Sequence, residues 1–237
     1  MSAEQLFEQS KPFLTYIAEW NHGLLPLHLA SVVDGQPERA AILSVDMING
    51  FCHQGPLASP RVARIVAPVV SLFRRAHELG LRRFALLQDT HHADAIEFDS
   101  YPAHCIRGSS ESDTVPELKG LPFFDQCLVM PKNSVSCSLG TDLGPWLDSH
   151  AEVDTFIVIG VCTDICTYLL AMHLRMRANV LKQQVRVIVP VDCVGTYDLP
   201  LDVARHTGAV AHDGDLLHHV FLYHMMLNGI EVVSTLE

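Results

Sequence analysis

No apolar run in this chain approaches the roughly 18 to 20 residues that a helix needs to cross a bilayer. The longest, over 65–70 and 156–162, are strand-sized. Basic charge is also scarce: 16 Lys and Arg stand against 27 Asp and Glu, a formal net charge of -11 with no basic cluster. Nucleic acid and anionic membrane surfaces would be repelled, so neither is expected as a partner. The first eight residues carry acids where a secretion signal carries Lys or Arg ahead of an apolar core. Seven cysteines, an odd number scattered through 237 residues, suit reduced thiols in the cytoplasm better than a disulfide framework. Internal repeats and low-complexity linkers are missing too, which favours one folded domain.

Hydrophobic residues make up 49% of the chain and charged ones 18%, a globular balance. Helical spacing of Leu6, Phe7, Phe13, Leu14 and Ile17 predicts a helix over 3–20. Residues 1–40 therefore read as a helical leader packed on the outside of a domain spanning 41–237. Within that domain, apolar runs predict six strands over 41–46, 83–89, 127–132, 155–160, 185–189 and 229–233. Helices are expected over 60–79, 164–178 and 201–227, with Pro60 near the start of the first and Gly80 closing it. Strands alternating with helices imply a three-layer α/β/α fold around a mostly parallel six-stranded sheet. In such sheets the functional site lies beyond the carboxyl ends of the strands.

The stretch from Phe156 to Met172 passes from an apolar strand through a Gly-containing turn with two cysteines into a helix. Cys166 falls in the first turn of that helix, where free N–H groups and the dipole lower a thiol's pKa. Cys162 and Cys166 are either part of a nucleophilic site or two buried structural thiols. Asp46 and Lys132 end other strands, so all three side chains converge on one edge. A base to take its proton and a cation to hold the thiolate are what a cysteine nucleophile needs, and Asp and Lys supply them. A second group lies in the long segment over 90–122: Asp89-Thr90-His91, Glu97 and His104 offer carboxylate and imidazole ligands of the kind that hold Zn, Fe or Mn. With 14 histidines in the chain, a lone Asp-x-His pair is equally well an ordinary strand end. His92, His150, His173, His206 and His212 have no partner motif and read as surface or core residues, and His218, His219 and His224 do not share a ligating face.

Three segments taken together resemble the isochorismatase-like cysteine hydrolases, and within them the nicotinamidases. Asp46-Met47-Ile48-Asn49-Gly50-Phe51 looks like the family's D-M-x-x-x-F opening. Lys132 follows the third strand, and Gly160-Val161-Cys162-Thr163-Asp164-Ile165-Cys166 looks like G-x-x-T-D-x-C. The resemblance, over roughly residues 40–235, implies that Cys166 is the nucleophile, Asp46 the general base, and Lys132 the cation that steadies the thiolate and orients Asp46. It further implies an oxyanion hole formed by the N–H groups of Cys162 and Cys166, with a cis peptide bond before Cys162. Tyr101-Pro102-Ala103-His104-Cys105 looks like the W-P-x-H-C segment of nicotinamidases, so a divalent transition metal, Zn first and Fe or Mn as alternatives, is expected on Asp89, His91, Glu97 and His104. Isochorismatases lack that metal site.

The expected activity is amide hydrolysis, of nicotinamide or a similar aromatic or small amide, to the acid and ammonia, with Phe51 and Tyr101 packing on the substrate ring. Two departures bear on substrate shape. Tyr101 stands where Trp is usual, and Asn133 to Ser138 lack the usual aromatic ending. They keep alternatives open: a carbamoyl, ureido or isochorismate-type substrate in the same family, a noncatalytic metal- or ligand-binding module, or a hydrolase whose metal activates water. A homo-oligomer is compatible with the sequence.

Overall fold

In the computed structural model, which describes residues 1–237, the chain begins with helix α1 (Ala3–His22), capped by Ser2 and Gln5, and a short α2 (Leu29–Val33). β1 (Ala40–Val45) follows, with every residue buried. A single turn, α3 (Asn49–Cys52), then α4 (Pro60–Ala63) and α5 (Val66–Glu78) lead to β2 (Arg83–Asp89). The long segment after β2 holds α6 (Pro116–Lys119) and ends at β3 (Leu128–Lys132). α7 (Leu143–Ser149), β4 (Thr155–Val161), α8 (Cys166–Leu181) and β5 (Arg186–Pro190) continue the alternation. The chain closes with β6 (Val194–Gly195), α9 (Leu201–Thr207), α10 (Gly214–Leu227) and β7 (Glu231–Val233).

All strand pairs are parallel, in the order β3-β2-β1-β4-β5-β7, with β6 attached to the end of β4. The sheet thus has seven strands, one more than the six expected; the extra one, Val194–Gly195, is two residues long and carries no periodicity to read. Side chains of β1 alternate between two cores. Ile42 packs with Val69, Leu72 and Phe73 of α5 on one face, and Leu43 with Leu170 and Leu174 of α8 and Leu222 of α10 on the other. Helices on both faces explain why β1 and β4 are apolar without a break. No helix is long and apolar enough to cross a membrane.

Three expected elements differ in detail. The helix over 60–79 is broken into α4 and α5, because Pro68 has no N–H to donate to the Arg64 carbonyl four residues earlier. The helix over 201–227 is broken into α9 and α10: Gly208 takes a left-handed conformation as the C-cap of the first, and Asp213 caps the second through Leu216 N–H. On α1 only Ile17 is buried; Leu6, Phe7, Phe13 and Leu14 are exposed, while Phe13, Tyr16 and Trp20 surround the Tyr223 ring of α10.

Candidate active site

The chain enters the sheet at β1, steps outward to β2 and β3, and returns to the other side of β1 at β4. That reversal opens a crevice at the carboxyl ends of β1 and β4. Asp46 stands one residue past β1, Asp89 ends β2, Lys132 ends β3 in register with Asp89, and Cys162 follows β4. Gly160 brings the last of these close. A Cβ there would lie 2.0 Å from the Val45 carbonyl oxygen, and its φ of 113° suits glycine. The two strands therefore approach closely just before Asp46 and just before the cysteine turn. The Val161–Cys162 peptide bond is cis, and Asp46 itself has a left-handed φ of 51°.

Lys132 lies at the centre of the buried charges. Its Nζ donates to Asp89 Oδ1 at 2.5 Å and to the Ser134 carbonyl at 3.2 Å, and reaches Cys166 Sγ at 3.7 Å. It also lies 2.9 Å from Asp46 Oδ2, an ion pair too bent to count as a hydrogen bond. Asp46 Oδ1 accepts from the Asp89 N–H at 2.7 Å. Asp46 and Lys132 are 0% and 1% exposed, so neither charge meets water. Burial, then the neighbouring Asp89, pushes the Asp46 carboxyl up to about 7, against the pull of Lys132. Burial also acts on Asp89, but the Lys132 ammonium overrides it and holds that carboxylate well below the usual range. Lys132 stays charged, its pKa raised by the two carboxylates against burial.

Cys166 lies in the first turn of α8, as expected, and begins that helix two residues later than expected, but its thiol is not acidified. Burial pushes it well above its ordinary value, and Asp46 and Asp89 add to this while Lys132 opposes it. The helix start alone is outweighed, because the thiol is enclosed beside two carboxylates. Cys162 is raised to about 12, again mainly by burial. Neither the Cys162 nor the Cys166 N–H donates to an acceptor within the protein, so both amides remain free to bind an added oxygen.

Asp89, His91 and His104 bring one ligating atom each to within 4.8 Å of one another. His104 Nδ1 donates to the Pro102 carbonyl at 2.8 Å, which turns Nε2 toward Asp89 Oδ2 at 3.8 Å, beyond hydrogen-bond distance. Both ring nitrogens of His91 are buried without a hydrogen-bond partner, and Nε2 is 3.3 Å from Asp89 Oδ1. These orphaned donor atoms fit a bound metal cation, with a backbone carbonyl orienting one of the imidazoles. Glu97 stands just outside this group. Its Oε1 is 3.9 Å from His91 Nε2, and Oε2 accepts from the Val135 N–H at 3.1 Å.

One mostly apolar pocket joins the two groups: Cys162 and Cys166 line it together with Asp89, Glu97 and His104. Phe51 and Tyr101, expected at the substrate ring, line it as well. The sequence reading missed Leu57, Val62, Val135, Ile165 and Tyr197, which complete the wall. Ile165 and Val135 lie in the quoted segments without being singled out, Leu57, Val62 and Tyr197 lie in none, and only the folded chain collects them. His212, read as having no partner motif, bonds Asp164 Oδ2 through Nε2 at 2.8 Å, and His218, read as no metal ligand, bonds Thr163 Oγ1 through Nδ1 at 2.9 Å. Both contacts hold the turn that carries the cysteines.

Residues 40–217 match the Isochorismatase domain. The chain belongs to the isochorismatase family. Nicotinamidase 1 of Arabidopsis thaliana is 33% identical over 211 residues, covering 83% of this chain and 86% of that protein. Among solved structures, N-carbamoylsarcosine amidase from Thermoplasma acidophilum matches with a TM-score of 0.62 at 25% identity, covering 82% of this chain and 95% of that one. The nicotinamidase of Bacillus subtilis matches with a TM-score of 0.65 at 21% identity over 82% of this chain and 99% of its own, a likeness of fold. The chain is thus an isochorismatase-family hydrolase, with the three-layer parallel-sheet fold of that family.

Proposed function

We propose that this enzyme hydrolyses nicotinamide, or a closely similar aromatic or small amide, to the carboxylic acid and ammonia through a thioester on Cys166. The relation to Nicotinamidase 1 supports the substrate class. One observation carries the chemistry: Lys132 Nζ lies against both Asp46, at 2.9 Å, and Cys166 Sγ, at 3.7 Å. Asp46, with a pKa near 7, accepts the Cys166 proton as the sulfur attacks the amide carbon. The carbonyl π electrons move to oxygen, and the Cys162 and Cys166 N–H groups stabilise the oxyanion. Asp46 returns the proton to the leaving nitrogen, the C–N bond breaks and ammonia departs. A water molecule then gives a proton to Asp46 while its oxygen attacks the thioester. The C–S bond breaks, and sulfur leaves as a thiolate paired with Lys132 before regaining its proton.

Asp89, His91 and His104, with Glu97 beside them, would hold a divalent transition metal, Zn first and Fe or Mn as alternatives. When bound it supplies a Lewis-acid anchor for a ring nitrogen of the substrate. Phe51 and Tyr101 pack on the ring. Seven unpaired thiols support a reducing, cytoplasmic setting. Residues 1–40 serve as a leader on the 41–237 hydrolase domain. Cys166→Ala is expected to lower ammonia release from nicotinamide at least about 10³-fold, whereas Cys162→Ala, which keeps its N–H, stays within about tenfold of wild type. Retained activity in Cys166→Ala overturns the mechanism. A carbamoyl amide is the second reading, favoured by Val135, an aliphatic side chain of the altered segment after Lys132 in the pocket wall. Ammonia release from N-carbamoyl amides but not from nicotinamide would select it.

A further inference from the structure

His212 lies in the link between α9 and α10, far in sequence from every motif of the site. Its ring nevertheless joins two parts of the pocket. Nε2 bonds Asp164 Oδ2 at 2.8 Å, and Nδ1 bonds the Tyr197 carbonyl at 2.9 Å. A carbonyl only accepts, so Nδ1 donates to Tyr197 while Nε2 bonds the Asp164 carboxyl. The other Asp164 oxygen accepts from Thr196 Oγ1 at 2.6 Å, so this carboxylate is held from two sides. The imidazole also stacks on the Tyr197 ring, with centroids 3.9 Å apart and an interplanar angle of 18°. Its backbone is fixed in turn, because His212 and Leu199 exchange hydrogen bonds at 3.0 and 2.7 Å.

The two ends of this bridge matter for different reasons. Asp164 belongs to the turn between Cys162 and Cys166, and Tyr197 lines the pocket beside both cysteines. We propose that His212 is a positioning residue that clamps the cysteine turn to Tyr197 and so sets the wall against which the substrate ring is held. The clamp is nearly closed to water, with the His212 and Asp164 side chains 8% and 5% exposed. It touches neither Asp46 nor Lys132, so its loss changes fit before it changes proton transfer. Tyr197 becomes a specificity-determining residue whose ring position is set from behind by an imidazole.

The proposal rests on the reading of this pocket as the amide site, and its test has one arm that does not. In folded His212→Ala, KM for nicotinamide should rise about tenfold with a smaller change in kcat. Tyr197→Ala should do the same, and the double variant should be no worse than the poorer single variant. In the substrate-independent arm, alkylation of Cys166 by iodoacetamide is compared with alkylation by N-benzyl-2-chloroacetamide. His212→Ala should lower the preference of wild type for the aromatic reagent about tenfold. If His212→Ala does not fold, the pair His212→Leu with Asp164→Asn, which fills the space but makes neither the bond to residue 164 nor the bond to the Tyr197 carbonyl and leaves no buried charge, takes its place in both arms. An unchanged KM together with an unchanged reagent preference overturns the clamp, as do additive effects of the two alanine substitutions. Wild-type protein that alkylates selectively but releases no ammonia from nicotinamide overturns the amide reading alone; the reagent preference then decides the clamp.

Discussion

The Asp89 backbone N–H donates to Asp46 Oδ1 at 2.7 Å, and the Asp89 side chain takes part in the histidine cluster. One residue thus fixes the orientation of the carboxylate beside Cys166 through its main chain and belongs to the candidate metal site through its side chain. The two groups of chemistry are separated by a single residue, and Lys132 pairs with both carboxyl groups from one position.

In metal-stripped protein, Lys132→Met should cost about 3 to 5 kcal/mol, because the buried Asp46 and Asp89 carboxyl groups lose the ammonium they share. Urea denaturation followed by far-UV circular dichroism measures this. Adding Asp46→Asn should recover part of the loss, since one of the two stranded charges is then removed. Wild-type stability in Lys132→Met would contradict the charge arrangement.

Purified protein should carry about one divalent transition metal ion per chain, measured by elemental analysis. His91→Ala and His104→Ala should each reduce that content sharply. His206→Ala, an exposed histidine, should not. Equal metal content in all three variants would rule out the Asp89, His91 and His104 cluster as the site.

Gly160→Ala should cost more than about 3 kcal/mol, or prevent folding, since the added methyl group meets main chain of β1 rather than a movable side chain. A variant with an unchanged denaturation midpoint would show that β1 and β4 can separate at this point without loss.

Burial, helped by His219 and Arg61, lowers the His218 pKa to about 4, so the folded protein keeps this ring neutral on Thr163. The unfolded chain binds the proton near the ordinary value of 6.5. Protonation therefore favours unfolding: the contribution is complete above about pH 6.5 and is lost as pH falls toward 4, by at most about 3 kcal/mol. Thermal melts of wild type and His218→Asn across that window measure the difference. The variant should lose less stability than wild type between these limits, and parallel curves would contradict the assignment.

β1 and β4 were readable from apolar runs because a strand buried on both faces is apolar almost throughout, a one-dimensional property, and the edge strand β3 was readable because its run is apolar even where Leu128 and Val129 are exposed. Asp46, Asp89, Lys132 and Cys166 were readable for a related reason: polar residues ending such runs share an edge once the sheet is parallel. The two-residue β6 had no such signature. The breaks at 64–65, ahead of Pro68, and at Gly208 left the overall layers intact but divided two helices.

The order of strands and charged strand ends, and with it the family, was determined by the sequence alone. Tertiary structure decided how those ends interact. It made Cys166 a buried thiol beside a carboxyl of pKa near 7 rather than a thiol acidified by its helix. It drew Asp89, His91 and His104 together and left Glu97 at their margin. It also joined His212 to Asp164 and Tyr197 across long stretches of chain. The physical reason is that desolvation and directional hydrogen bonds depend on what surrounds a group in three dimensions, whereas burial along a strand is already encoded in the residues of that strand.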